Sequence, residues 1–264
     1  MNSTNFSDLR VECSSAVARV TINRPEVRNA CRYKTTVELG MAMRQLEQES
    51  SVRAIIVTGA GDRAFCAGAD LKELRTRKPH ERERELLDGW VTTLRIIETM
   101  GKPVIAAVRG YAVGGGTELA LACHLRVAGR SARFGQPEIL RGHIPGAGGT
   151  VRLPRLIGEG RALQYLLTGD DIPAEDAERI GLVNWVVDDA DVVEAAEKVA
   201  QRIAALPALA VKLTLQSVIG GRDASLEAAL VLEQSMCARM RYDADYLEGL
   251  EAFEAKRTPM YNRA

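Results

Sequence analysis

Residues 110–124 read GYAVGGGTELALACH, three consecutive glycines running into a glutamate that opens an apolar helical stretch. Glycine triplets are costly to order, and acidic side chains are rarely buried without a purpose. A second glutamate, Glu138, sits in RFGQPEILRGHIPGAGGT, flanked by Phe134, Pro137, Ile139 and Leu140. A further cluster of small residues, AFCAGADL, surrounds Gly68. Small side chains let a ligand approach the backbone, whose N–H groups become usable donors. Two such loops aimed at one oxygen would hold negative charge developing on a carbonyl. Glu118 falls in the first turn of its helix, where the helix dipole favours the charged form. The apolar setting of Glu138 raises its pKa if it is buried. Two carboxylates in unequal surroundings suit a base and an acid. The same residues also fit a plainer account: tight turns needed for packing, a helix-capping charge at Glu118 and an ion-paired loop residue at Glu138.

The elements that must position these groups follow from patterning. Short β-branched runs at 17–23, 53–59, 103–110, 125–129 and 183–187 are separated by helical patterns. The pattern over 33–50 spaces Val37, Met41, Arg44 and Leu46 at helical intervals, and that over 86–100 does so with Leu87, Val91, Leu94 and Ile97. Alternating strands and helices predict an α/β class. The charge-dense stretch 72–85 reads as a solvated loop and helix start. Near residue 190 the character changes, and the chain is helical to its end, punctuated by Pro207 and the Gly220–Gly221 pair. Several of these last helices are apolar on more than one face, which predicts an appendage used for assembly. The expected division is 1–195 for the core and 196–264 for the helical part.

Composition removes several function classes. The chain has 264 residues, 46% of them hydrophobic, with 35 Lys and Arg against 35 Asp and Glu. A sizeable core is available, and the zero net charge argues against bulk attraction to nucleic acid or anionic membrane. No apolar run approaches the ~20 residues of a membrane span. The opening MNSTNFSDLRVE lacks a basic-then-apolar leader pattern, and the five cysteines form no C-x-x-C pair, so the expectation is a cytoplasmic protein with reduced thiols. The three histidines form no ligand cluster, so no metal site is expected. IIVTGAGDRAFCAG resembles a dinucleotide turn, but position 64 is alanine where a third glycine belongs, and the stretch after it does not begin as a helix. The basic residues at 72–84 alternate with glutamates and aromatics are scarce, against an RNA-binding face.

The sequence resembles the enoyl-CoA hydratase/isomerase (crotonase) superfamily, its hydratase branch in particular. The stretches that carry the resemblance are INRPEVRNA, VTGAGDRAFCAGADLKEL, KPVIAAVRGYAVGGGTELALAC, FGQPEILRGHIPGAGGTVRLPRLIG, LTGDDIPAEDAERIGLVNWVV and EGLEAFEAKR, in the expected order along nearly the whole chain. The resemblance implies a spiral of repeated ββα units with a C-terminal helical domain, assembled as trimers and commonly as a dimer of trimers. It implies an acyl-CoA thioester as substrate, hydrated reversibly from trans-2-enoyl-CoA to 3-hydroxyacyl-CoA without metal or redox cofactor. The N–H groups of Ala69 and Gly115 would bind the thioester carbonyl. Glu118 would activate water for attack at C3, and Glu138 would exchange the proton at C2. Arg24, Val27 and Arg28, with Ala67, Gly68, Asp70 and Leu71, would line the CoA strand, and Gly114 would adjoin the carbonyl. Phe253 and Lys256 match positions that reach the nucleotide end of CoA from a neighbouring subunit.

The sequence departs from the family pattern at His124, where aspartate is frequent, and at Thr117, where cysteine is. Arg109 replaces a common asparagine, His143 a smaller polar residue, and Cys31-Arg32-Tyr33 a run that often reads alanine, leucine, serine. None removes a catalytic group. His124 is expected to be structural. The departures leave acyl specificity open, and the alternative reactions on the same fold are double-bond isomerisation, hydrolysis or decarboxylation of an acyl-CoA. A non-catalytic RNA-binding or scaffold relative is the alternative of a different class.

Overall fold

The computed structural model of the chain describes residues 6–261. The first five residues of the opening MNSTNFSDLRVE lie outside it, as do 262–264. The strands are β1 (Leu9–Ser14), β2 (Val17–Ile22), β3 (Ala54–Gly59), β4 (Ala64–Cys66), β5 (Val104–Val108), β6 (Tyr111–Val113), β7 (Leu125–Gly129), β8 (Arg133–Gly135), β9 (Ile172–Pro173) and β10 (Trp185–Val187). The helices are α1 (Tyr33–Gln48), α2 (Leu71–Thr76), α3 (Pro79–Glu85), α4 (Thr92–Thr99), α5 (Gly115–Ala122), α6 (Gly149–Ile157), α7 (Glu159–Thr168), α8 (Ala174–Arg179), α9 (Val192–Ala204), α10 (Ala208–Gly221), α11 (Leu226–Met240) and α12 (Ala244–Glu254).

The strands form two sheets. One has six strands in the order β1-β2-β3-β5-β7-β10, the other four in the order β4-β6-β8-β9. Apart from the antiparallel pairs β1/β2 and β8/β9, neighbours are parallel. The chain therefore places one strand in the large sheet, the next in the small sheet, then a helical segment, and repeats: β3-β4-α2, β5-β6-α5, then β7-β8 and a 3-10 turn. This is the α/β spiral of ββα units that the family resemblance implies. The large-sheet strands β3 and β5 are buried on both faces and read as continuous apolar runs.

Two helical faces differ from the pattern read in the sequence. On α1, Met41 is exposed, and the buried side is Thr35, Thr36, Leu39, Ala42, Met43 and Leu46. The cause is close approach to α4. A Cβ at Gly40 would meet Thr93 Oγ1 at 2.6 Å, and that hydroxyl donates to the Thr36 carbonyl at 2.9 Å. Small residues line the side of α1 toward α4, while Leu39, Met43 and Leu46 fill the core. In the second case, Leu86–Val91 forms a π-helical turn ahead of α4. Its wider turn rotates the face, so Trp90 points inward and Leu87 is exposed. The charged stretch 72–85 forms most of α2 and α3, which bury no residue.

Helix α9 packs on the large sheet, Val192, Ala196 and Ala200 meeting Ala54, Ile56, Ile105, Ala107 and Val127. Helices α10, α11 and α12 bury only Leu213 and Ala252 among their described residues, while Leu226, Val231 and Leu247 stay exposed. No single helix among the described residues is long and apolar enough to cross a membrane.

Candidate active site

The site forms where the small-sheet strands end. β4 runs out at Cys66, and the chain turns through Gly68, whose φ is +87°. Cys31 lies alongside, donating its N–H to the Gly68 carbonyl at 2.7 Å and accepting from the Asp70 N–H at 2.9 Å. In a parallel bridge of this kind the intervening residue, Ala69, directs its own N–H to the opposite side. β6 ends at Val113, and Gly114, with φ +57°, starts α5. A Cβ at Gly68 would stand 2.7 Å from the Val113 carbonyl oxygen and 3.1 Å from the Gly115 nitrogen, so the two loops touch there. Among the described residues, no hydrogen bond engages the N–H of Ala69 or of Gly115.

Each glycine of the triplet is required by a protein neighbour. A Cβ at Gly114 would crowd Glu138 Oε1 at 3.0 Å, at Gly115 the Trp90 ring at 2.9 Å, and at Gly116 the Cys66 carbonyl. The sequence raised the need for a ligand to approach the backbone; the close approaches present within the chain are to its own side chains and backbone.

Glu118 lies one turn into α5 and is 3% exposed. Its Oε1 accepts from the Ala147 N–H at 2.7 Å and the Gly149 N–H at 2.8 Å. Burial raises its pKa and the nearby Glu138 charge adds to that, against the two N–H groups and Arg152, which lower it. The expected stabilisation of the charged form by the helix N-terminus is thus outweighed by burial. Glu138 sits in the 3-10 turn Pro137–Arg141 that follows β8. Burial raises its pKa also. With its amide nitrogen turned to the carboxylate, Gln136 donates to both Glu138 oxygens at 3.1 and 3.2 Å.

The pairing of β6 with β8 brings the two glutamates together. The Gly114 N–H donates to the Gly135 carbonyl at 2.8 Å. Thr117 Oγ1 lies 2.5 Å from the Ala112 oxygen and 2.9 Å from the Gly135 oxygen, and accepts from the Gly135 N–H at 3.1 Å. Thr117 thus ties α5 to both strands, work for which its hydroxyl is suited.

The segment 24–31 borders the Gly68 loop. Ala67 donates its N–H to the Arg28 carbonyl at 3.1 Å. Asn29 is buried and donates to the Ala60 and Ala64 carbonyls at 2.9 and 2.7 Å, pinning the segment to the β3–β4 connection. Arg24, Val27, Arg28 and Ala67 to Leu71 therefore share one rim. The Arg24 guanidinium is engaged within the protein, 3.2 Å from Asp70 and 3.8 Å from Asp8. Arg28 and Leu71 are exposed. Phe253 is 85% exposed near the end of α12, and Lys256 is exposed just beyond.

His124 is directed away from this chemistry. Its Nδ1 accepts the Val104 N–H at 2.9 Å, and its buried Nε2 has no hydrogen-bond partner among the described residues. Burial lowers its pKa to about 4, so the ring is neutral. His143 is exposed and turns its Nδ1 to the Ile144 N–H at 2.8 Å. Sequence reasoning missed Gln136, Trp90 and the Ala147 and Gly149 N–H groups. The run IPGAGGT was the visible signal for the last two, but it does not say which carboxylate they face. Among the described residues no group of three His, Cys, Asp or Glu side chains is placed to hold a metal ion.

Fold and site together bring the carboxyls of Glu118 and Glu138 from successive ββα units beside loops whose Ala69 and Gly115 N–H groups are unengaged among the described residues. The family model for enoyl-CoA hydratase/isomerase matches residues 12–264, and the chain belongs to that family. It is 41% identical over 253 residues to the short-chain-enoyl-CoA hydratase of Clostridium acetobutylicum, covering 96% of each chain. It is 40% identical over 252 residues to the crotonyl-CoA hydratase of Syntrophomonas wolfei, again covering 96% of each. Among solved structures, the enoyl-CoA hydratase from Bacillus anthracis superposes with a TM-score of 0.94 at 40% identity, over 97% of this chain and 99% of that one.

Proposed function

We propose that this enzyme reversibly hydrates a trans-2-enoyl-CoA to a 3-hydroxyacyl-CoA. The observation that carries the reading is the two carboxyls Glu118 and Glu138, both with pKa raised by burial, beside the unengaged N–H groups of Ala69 and Gly115. Water adds poorly to an isolated double bond. Conjugation to a thioester makes C3 electrophilic and delivers the resulting charge to the carbonyl oxygen. In this reading the Ala69 and Gly115 N–H groups hold that oxygen, and loss of one such donor costs on the order of 10²–10³ in rate.

The Glu138 charge adds to the rise that burial causes at Glu118, so ionising both carboxyls together is disfavoured. Glu118, held by two N–H donors, takes the ionised role and accepts a proton from the attacking water. Glu138 keeps its proton and delivers it to C2. A water O–H bond breaks, its proton passing to Glu118, as the C3–O bond forms and the C2–C3 π bond is lost. The Glu138 O–H bond breaks as the C2–H bond forms, so the pair ends with its proton on Glu118. No metal or redox cofactor enters this sequence. The CoA portion would follow the rim of Arg24, Val27, Arg28 and Ala67 to Leu71, with Gly114 beside the carbonyl.

The exposed apolar residues of the last helices support assembly as a trimer or a dimer of trimers, with 196–264 as the assembling part. Phe253 and Lys256 would then meet the nucleotide end of CoA bound to a neighbour. A cytoplasmic location goes with this reading. The test is an absorbance assay over a panel of enoyl-CoA thioesters, scoring loss of the conjugated double bond. Turnover of trans-2-enoyl-CoAs is expected. Their inertness, with shift or cleavage of another acyl-CoA, would replace hydration by isomerisation, hydrolysis or decarboxylation.

A further inference from the structure

Behind Glu118 lies a cluster of charge that takes no direct part in the proposed chemistry. Glu98, at the end of α4, is buried, yet three arginines converge on it. Arg152 from α6 donates twice, from Nε at 3.1 Å and from Nη2 at 2.9 Å. Arg222, following α10, donates at 2.9 Å, and Arg95 at 3.0 Å. Burial alone would raise the pKa of Glu98, but the hydrogen bonds and charge of Arg152, with Arg222 and Arg95, hold it down at about 2. The carboxylate is therefore permanently charged, and Arg152 is fixed bidentately.

The remaining nitrogen of that fork points to the active site. Arg152 Nη1 donates to the Ala147 carbonyl at 2.8 Å. The N–H of the same residue, Ala147, is one of the two that hold Glu118 Oε1. The other belongs to Gly149, the first residue of α6, one turn from Arg152. Gly148 between them passes so close to Arg152 that a Cβ there would run into Nη1. Three consecutive residues thus connect the guanidinium to the carboxylate.

We propose that Arg152, clamped by Glu98, is a positioning residue for the Glu118 carboxylate, acting through the Ala147–Gly149 segment whose N–H groups it holds in place. This rests on the reading of Glu118 as the group that activates water. A guanidinium is required because one planar fork must satisfy Glu98 and Ala147 together, which an ammonium cannot do. Arg222 extends the clamp to the last helices, so their docking bears on the same carboxylate.

The charged groups acting on Glu118 are Glu138 from the 3-10 turn and Arg152 from α6. Arg152→Gln and Glu98→Gln in the full-length chain are expected to lower kcat for a trans-2-enoyl-CoA by as much as about a hundredfold, the cost of a misplaced catalytic group, with KM little changed. In Arg152→Gln the acidic limb of the kcat profile should also move to higher pH, since a cation that favours ionised Glu118 is gone. Arg152→Lys keeps the charge and loses the fork. It should lose kcat with the limb near its wild-type place, and it serves as the test if the glutamine variant does not fold.

The decisive comparison repeats Arg152→Gln in a Glu118→Gln background, where the loss should nearly vanish. An equal loss in both backgrounds, or a lowered melting temperature with unchanged kcat per folded enzyme and an unmoved acidic limb, overturns the positioning role. Wild-type turnover by Glu118→Gln itself would instead overturn the underlying assignment of Glu118.

Discussion

Gly114 lies directly against Glu138: a Cβ on Gly114 would stand 3.0 Å from Glu138 Oε1, at a φ of +57° that side-chain-bearing residues rarely adopt. The glycine and the glutamate come from different ββα units, so their contact records how β6 and β8 register at Val113 and Gly135. Gly114→Ala should therefore act twice. Backbone strain should cost about 1–3 kcal/mol, read from denaturant unfolding. Displacement of Glu138 should lower kcat by about tenfold to a hundredfold. An alanine variant with wild-type midpoint and turnover contradicts both parts.

His124 sets an acid dependence of stability unrelated to catalysis. Its pKa is lowered by burial from 6.5 to about 4. Between those values the folded chain binds fewer protons than the unfolded one. The stabilisation is complete above 6.5 and is lost as pH falls through the window toward 4. The His124 contribution to the slope should approach about 1.4 kcal/mol per pH unit, opposed above about 4.5 by Glu118 and Glu138, whose raised pKa makes stability fall as pH rises. His124→Asn should flatten it. Glu98 and Asp8, both held at about 2 by arginine partners, contribute only below about 4.5, so their loss at lower pH should persist in the variant. An unchanged slope between pH 6 and 4.5 in His124→Asn would remove the ring as its source.

The strands of the large sheet were legible because β3 and β5 are β-branched runs of six and five residues, and the boundaries of β3, β5 and β7 fall within a residue or two of the sequence pattern. The small sheet was not legible from patterning. β4, β6 and β8 have three residues each, too few for any period to show. Yet the small sheet builds the site, which is why motifs, and not periodicity, located Gly68 and Gly114. The buried face of α1 was read correctly at Leu46 but not at Met41, because close helix packing selects Gly40 and Thr36, residues that carry no apolar signal. Glu118 and Glu138 could be named as candidates from their glycine-rich and apolar flanks. That both have raised pKa depends on long-range burial, which no local stretch contains.

The last helices leave Leu226, Val231, Tyr242 and Phe253 exposed, the last two at 93% and 85%. The prediction is that neighbouring subunits cover these side chains. Sedimentation velocity at micromolar concentration should give a species of three or six chains, and Val231→Glu should shift it toward monomer. Lys256→Ala should raise KM for CoA thioesters and spare kcat, because contacts to a remote nucleotide are equal in ground and transition states. A clean monomer that turns over enoyl-CoA with ordinary KM would defeat both the assembly and the role of Lys256 across subunits.

The paired carboxyls give the sharpest test. Glu118→Gln and Glu138→Gln preserve size and remove one proton carrier each. Acid–base groups of this kind contribute about 10²–10⁴-fold, so each single change should lower kcat by that order. If both act in one transition state, the double change should cost far less than the product of the two. The variants should differ in one respect. Exchange of the C2 proton with solvent, followed in deuterium oxide on the 3-hydroxyacyl-CoA product, should suffer most in Glu138→Gln, because that carboxyl is assigned the C2 proton. Water attack at C3 should suffer most in Glu118→Gln, whose amide can still accept from Ala147 and Gly149 through its oxygen but cannot take a proton from water. Losses that multiply in the double variant, or near wild-type hydration by Glu138→Gln, would show that the two glutamates do not work as a pair.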